Sequence, residues 1–380
     1  MDSDYKNYDI SSIVGHKKQV EFLKGLFAGG RMPSGLLFYG QKNIGKKFAA
    51  TAFAASVLCG DYKAFSGESS SSSLNLNFCG KCPSCISFLN GASRNLLIIE
   101  PSGSAVKIES IHKIDSFLSL TPAYPGYRFI IIDEASSMNA SAANALLKML
   151  EEPRGKTVFI LVTSNAGMLL PTVISRCLLL GFSPVPCEVL SDVFKSEFPD
   201  IPGETLKFYS KLSRGSYSDF RRLVEGRYLE KRNFLIDTIF NELFGEYKNK
   251  NINKNPYEIS AKFNAMEKEG KGARKKEKSS KTLEDGAVPA EENEDKSAVF
   301  ELILFILRDI YIYKMSKSEK LLYNEDIADE IKRFALDSAV SSKDIGYMIE
   351  STVEHMEKIN SYNLNKSIAA DSYFSKLLSL

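Results

Sequence analysis

The run Phe129-Ile130-Ile131-Ile132 stops without transition at Asp133-Glu134. Apolar residues in unbroken succession describe a strand covered on both faces, which implies a parallel sheet with helices packed on either side. Acids delivered at the end of such a strand lie in the crevice at the carboxyl edge of the sheet, where α/β folds bind ligands. A helical repeat follows from Asn139 to Glu152, with Ala142, Ala145, Leu146, Met149 and Leu150 on one stripe. Asn144, Lys148, Glu151 and Glu152 make its polar face, and Pro153 ends it. Thr157 to Val162 is a second buried strand, closing in Thr163, Ser164 and Asn165. Pro171-Thr172-Val173-Ile174 then leads to Ser175-Arg176-Cys177 and a further apolar run, Leu178 to Leu180.

Upstream, Leu36-Leu37-Phe38-Tyr39 is a strand, and Gly40-Gln41-Lys42-Asn43-Ile44-Gly45-Lys46-Lys47 is the loop after it. A glycine-bounded loop between strand and helix turns backbone N–H groups toward phosphates, and its lysine meets the terminal ones. The position after that lysine normally carries a Ser or Thr that ligates magnesium, and here it is Lys47. An ammonium cannot coordinate a cation, so nucleotide binding stays open while magnesium-dependent hydrolysis is not expected. Ile13-Val14-Gly15-His16 opens an amphipathic helix, with His16 packing or capping at its entry. Leu96-Leu97-Ile98-Ile99 is a strand ending at Glu100-Pro101. Ile108 to Leu120 reads as a helix with Ile111, Ile114, Phe117 and Leu118 inward and His112 outward. Four parallel strands with helices between them predict a doubly wound α/β core with nucleotide at the strand ends.

Cys79, Cys82 and Cys85 form two overlapping Cys-x-x-Cys turns, and Cys59 is the nearest fourth sulfur. Such turns bring thiolates round one centre, a tetrahedral set suited to structural zinc. Gly60 to Phe78 separates Cys59 from the rest and reads as an excursion, with serines from Ser69 to Ser73.

Asn144-Ala145-Leu146-Leu147-Lys148-Met149-Leu150-Glu151-Glu152-Pro153 followed by Ser175-Arg176-Cys177 resembles the clamp-loader branch of the AAA+ proteins, which open and close sliding clamps in DNA replication. The resemblance covers nearly all of the chain outside two inserts. It implies an AAA+ parallel-sheet core over 1–181 with a zinc module at 59–85 (insert 60–78), a small helical lid over 182–227, and an all-α collar over 228–380. It also implies that Arg176 acts as an arginine finger on a neighbouring subunit's ATP, and that a lid helix begins Gly-Ser-x-Arg-Asp with its arginine on the nucleotide. This chain has Gly215-Ser216-Tyr217-Ser218-Asp219, so Ser218 stands in the arginine's place, with Arg221 and Arg222 further on as solvated charges. Lacking both the loop Ser/Thr and the lid arginine, the chain resembles the delta-prime type: a non-motor subunit of the DNA polymerase III clamp loader. The implied partners are gamma/tau and delta subunits, with the sliding clamp and primed DNA reached through the complex. In that reading Gly40, Gly45, Lys46, Lys47, Asp133 and Glu134 form a degenerate nucleotide site.

Two other readings are open: an active gamma/tau-type ATPase, favoured by Lys46 and Asp133-Glu134, and a zinc-dependent nucleic-acid-binding module on a relic AAA+ core. Lys plus Arg number 49 against 47 acids, so any DNA contact is local rather than a basic coat. The start, Met1-Asp2-Ser3-Asp4-Tyr5, has no basic or apolar character and no run reaches membrane-spanning length, so the expectation is a cytoplasmic protein without membrane contact. Tyr228 to Met266 is rich in Phe and Ile, including Phe234, Leu235, Ile239, Phe240 and Leu243. The stretch 267–296 is dominated by Lys, Glu, Gly and Ser and reads as a disordered insert. Ala298 to Tyr313 is apolar apart from Glu301, Arg308 and Asp309, and suits a helix buried in a bundle; Asn363 to Leu380 resembles the collar's end.

Overall fold

The computed structural model describes residues 8–30, 32–60, 76–103, 105–225, 228–237, 258, 260–261, 298–336, 341–362 and 366–378. The chain forms two compact units, Met1–Phe220 and Arg221–Leu380. In order, the first contains α1 (Lys17–Ala28), β1 (Gly35–Tyr39), α2 (Lys46–Leu58), α3 (Pro83–Leu89), β2 (Leu96–Ile99) and α4 (Ile108–Ser119). It continues with β3 (Arg128–Ile132), α5 (Ala140–Glu151), β4 (Thr157–Thr163), the single turn α6 (Pro171–Ile174) and β5 (Leu178–Gly181). Helices α7 (Cys187–Glu197), α8 (Gly203–Leu212) and the start of α9 (Tyr217–Glu225) complete it.

The sheet has five strands in the order β2-β3-β4-β1-β5, and every neighbouring pair is parallel. Successive side chains of β1 point to opposite faces, and both faces are dry. Leu36 and Phe38 join Phe53, Phe129 and Ile160 on one side, whereas Leu37 joins Ile130, Ile111, Leu146 and Leu150 on the other. The sequence pointed to four strands; the fifth, β5, is an edge strand whose Leu178 and Leu179 are exposed. A short run with two of its three leucines facing solvent lacks the two-sided burial signature that marked the others.

Helix α5 follows the predicted stripe. Asn139 caps it by accepting from the Ala142 N–H at 2.8 Å, while Ala142, Leu146 and Leu150 are buried and Ala145 and Met149 are half-buried. Of the excursion expected after Cys59, Leu76 and Phe78 at its end are buried core residues, while Ser69 to Ser73 lie outside the described residues.

Among these last helices, Phe194 of α7 stacks on Phe220 of α9 with ring centroids 3.6 Å apart, and Tyr209 of α8 packs edge-on against Phe220. Gly215 lets the chain enter α9: its φ is +80°, and a Cβ there would lie 2.7 Å from the Val185 backbone nitrogen.

The second unit contains α10 (Tyr228–Asp237), α11 (Ala298–Ser316), α12 (Ala328–Leu336), α13 (Ser342–Tyr362) and α14 (Lys366–Leu378). Helix α11 is buried around much of its circumference through Phe300, Leu302, Ile303, Ile306, Leu307 and Ile310. Its acid Asp309 is fully buried and satisfied: Oδ2 accepts from the backbone N–H groups of Tyr323 and Asn324 at 2.9 and 2.8 Å and from the Asn324 amide at 2.7 Å. Asn324 in turn accepts from Nε of the buried Arg232, whose guanidinium grips Asp326 through two bonds of 2.8 and 2.6 Å. Arg222, expected as a solvated charge, instead pairs with Glu301 at 3.1 Å. Ile239, Phe240, Leu243, the stretch 267–296 and Asn363 to Asn365 lie outside the described residues.

Candidate nucleotide and metal sites

The phosphate loop sits between the carboxyl end of β1 and the start of α2. Gly40 turns it with φ +145°, and a Cβ there would lie 2.2 Å from the Phe182 carbonyl oxygen, so only glycine fits. His16 is buried behind the loop, its Nε2 2.8 Å from the Ile44 carbonyl oxygen and its ring edge-on to Phe182. Burial holds its pKa below the ordinary value, opposed by that hydrogen bond. It packs at the helix entry, as its position suggested.

The loop's Lys46 and Asn43 both find partners within the chain. Lys46 turns back to donate to the Gly40 carbonyl at 2.8 Å and to the Gln41 carbonyl. Burial lowers its pKa, while the charges of Glu134 and Asp133 work the other way. Asn43, at φ +63°, donates to Asp219 of α9 at 3.2 Å, and its carbonyl accepts from Ser216 Oγ at 2.6 Å. Ser218, in the expected arginine position, is exposed.

Lys47 reaches across the strand ends. Its ammonium donates to Glu100 at the end of β2 and lies 3.3 Å from Asp133 at the end of β3. Burial tends to lower its pKa; the Glu100 hydrogen bond and the Asp133 charge more than offset this, and the net shift is upward. Glu134, in left-handed backbone at φ +45°, accepts from Ser164 at 3.4 Å. Glu100 was not singled out from sequence as a site residue. The signal was there, since an acid closes β2 just as Asp133 closes β3, and these strands are neighbours. Magnesium takes about six oxygens at 2.0–2.1 Å, usually through one or two carboxylates and the loop hydroxyl. Here that hydroxyl is absent and an ammonium already pairs with the Asp133 carboxylate, so the residues do not fit the ion.

Arg176 lies at the opposite end of the sheet. The register pairs Leu36 with Leu178 and Tyr39 with Gly181, so Arg176 precedes the amino end of edge strand β5 while the phosphate loop leaves the carboxyl end of β1. At about 3.3 Å per residue the two are separated along the strands by roughly 15–20 Å. The guanidinium is partly exposed, pairs with Glu151 on α5 and donates to the Thr172 carbonyl at 2.9 Å.

The four cysteines converge. The sulfurs of Cys59, Cys79, Cys82 and Cys85 all lie within 4.8 Å of one another, with Cys79 and Cys85 at 3.8 Å. A tetrahedral ion with metal–sulfur bonds of about 2.3 Å sets sulfurs about 3.8 Å apart, so the set fits zinc. Backbone N–H groups of Gly60 and Cys85 donate to the Cys82 sulfur at 3.2 and 3.4 Å, and those of Lys81 and Cys82 to the Cys79 sulfur at 3.4 and 3.3 Å. Such donors favour thiolates. Thiols this close oppose one another's ionisation: the Cys85 pKa is pushed up, first by the hydrogen bond with Cys59 and then by burial, and a central dication reverses that balance.

Residues 15–186 match the family model described as DNA polymerase III, delta subunit. DNA polymerase III subunit delta' of Pseudomonas aeruginosa is 33% identical over 190 residues, covering 49% of this chain and 54% of that protein. Its counterpart in Bacillus subtilis is 33% identical over 162 residues, covering 43% and 46%. DNA polymerase III subunit gamma of Buchnera aphidicola is 28% identical over 234 residues, covering 60% and 61%. The chain therefore spans about half the length of the delta' relatives it matches. Over residues 15–186 the chain thus matches the delta-prime/clamp-loader group of DNA polymerase III subunits.

Proposed function

We propose that the chain is a non-motor, delta-prime-type subunit of a DNA polymerase III clamp loader, and that Arg176 completes the ATP site of a neighbouring subunit. The observation that carries this reading is the position of Arg176 just before the amino end of the edge strand, at the opposite end of the sheet from its own phosphate loop. A guanidinium there has no access to the chain's own nucleotide, so any phosphoryl group it serves belongs to another molecule. Its own site lacks the magnesium ligand, with Lys47 on Asp133. In this reading gamma/tau and delta subunits are its partners in a hetero-oligomeric ring, and the sliding clamp and primed DNA are met through that ring. The test is reconstitution with gamma, delta and clamp proteins. Arg176→Ala should still assemble, while the ATPase of the complex and clamp loading both fall; unchanged hydrolysis in a fully assembled variant complex removes the finger role.

The gamma/tau alternative has the Buchnera aphidicola relative, Lys46, Asp133 and Glu134 on its side. It requires turnover by the chain alone that Glu134→Gln abolishes. The cysteine cluster, in the same proposal, holds one structural zinc that ties α3 and the end of α2 together. Protein purified without chelator should carry one equivalent, and Cys82→Ser should lose it together with the local fold.

A further inference from the structure

Where the fold would set a magnesium ion, this chain sets one of its own side chains. Lys47 is the second residue of α2, so its stem leaves the first turn beside the phosphate loop, and its ammonium meets carboxylates from two adjacent strand ends. Asp133 is the acid that closes β3 at the ligand crevice. Glu100 closes the neighbouring strand and adds a second anion that holds the ammonium in place. An ammonium has three donors and no acceptor. Two are directed at Glu100 and Asp133, and the third remains for a phosphate oxygen delivered by the loop.

We propose that Lys47 is the resident cation of this site, so that the site excludes divalent ions and takes a nucleoside di- or triphosphate in its metal-free form. The ligand class follows from the loop itself. Gly45 has φ +90° and caps α2, so backbone N–H groups turn to a phosphate there, and Lys46 lies one residue on, bonded to loop carbonyls it can exchange for phosphate oxygens. A magnesium ion reaching Asp133 would have to displace the ammonium and sit beside it as a like charge, without the hydroxyl ligand that usually completes the site. The remaining charged groups at the site are Lys42 and Lys46 of the loop, Glu134 beside Asp133, and Asp219, which approaches from the lid through Asn43. Ser218, which is exposed, stands where the resemblance expects a lid arginine, so the local cation on the strand side stands in for the metal. The loop's own geometry supports this assignment whether or not the chain works within a clamp loader.

The full chain is titrated with a fluorescent ADP analogue in EDTA and in millimolar magnesium. Saturable binding is expected in both buffers, with dissociation constants within about threefold of each other. Lys47→Thr, which restores a hydroxyl and removes the charge, should gain a dependence on magnesium of about tenfold or more. Lys47→Met, which supplies neither, should bind more weakly than the natural chain in EDTA, and circular dichroism establishes that each variant is folded. Magnesium tightening the natural chain by more than that threefold margin, no saturable binding in either buffer, or Lys47→Met binding as well as the natural chain in EDTA each overturns the proposal.

Discussion

Lys47 and Arg176 are both cations paired with carboxylates on the same core, yet their surroundings differ in kind. Lys47 bridges two of its own strand ends, with Asp133 on one side and Glu100 on the other. Arg176 stands on an edge, held by Glu151 of the adjacent helix and a carbonyl of its own turn. An exposed ion pair of the second kind contributes about 0–1 kcal/mol, because water and salt compete for both partners. Arg176 has one carboxylate to exchange for a stronger anion such as a phosphate, whereas Lys47 is held by two, Glu100 and Asp133. The same chemistry thus leaves one cation engaged by two carboxylates and the other, with one, more available.

The largest expected effect comes from changing the available cation without removing its charge. Arg176→Lys keeps +1 but loses the planar fork that meets two phosphate oxygens at once. Arginine fingers elsewhere are worth on the order of 10³ to 10⁵ in rate, so the lysine variant should cost the assembled complex about 10²-fold in ATP hydrolysis or more. Single-turnover measurements on the reconstituted complex read this directly. A lysine variant as fast as the natural one reduces Arg176 to a general positive charge.

A smaller effect follows from the engaged cation. Lys47→Met leaves Asp133 and Glu100 without their shared partner, and the pair is exposed enough that the loss should be about 1 kcal/mol in urea unfolding. The pH behaviour carries a sign. The folded pKa of Lys47 is raised, so its stabilising pairing is fully present below the unfolded value of about 10.5 and fades only as pH rises through the higher folded one. The difference between natural and variant protein should therefore be flat from neutral pH to mildly alkaline pH and shrink only in strong alkali. A difference that already closes near neutrality would mean that Lys47 is not held as an ammonium between these carboxylates.

How much of this was legible in the sequence depends on whether a feature is local. β3 and β4 announce themselves through unbroken apolar runs, and α5 through its stripe, because burial on both faces or on one face imposes a period. β5 escaped because an edge strand needs only half its side chains covered. Asp133 was visible as an acid at a strand end, but Glu100 became its partner only once the sheet placed β2 beside β3. The same holds for the second unit: Asp309 interrupts an apolar helix in the sequence, and only the fold brings it the N–H groups of Tyr323 and Asn324. Pairings across long sequence separations have no periodic signature, so residue type indicates that a partner is needed without indicating which one.

The smallest expected effect bears on whether the Arg176 pairing is dispensable to the fold, as the contrast with Lys47 requires. Glu151 is near the carboxyl end of α5, where a negative charge is disfavoured by the helix dipole, and its side chain is about half exposed. Glu151→Gln removes the charge while keeping the shape, and the loss of a screened surface pair is partly offset by relief of that dipole term. Thermal unfolding should then shift by an amount corresponding to about 0.5 kcal/mol or less. Arg176 keeps its bond to the Thr172 carbonyl in the variant, so the turn before β5 stays in place. With the competing carboxylate gone, the guanidinium is more readily drawn to a neighbouring phosphate, and hydrolysis by the assembled complex should be unchanged or modestly faster. A destabilisation above about 1.5 kcal/mol would show that the pair is a structural clamp. Arg176 would then be bound to its own fold as firmly as Lys47, and the contrast between the two ends of the sheet would not hold.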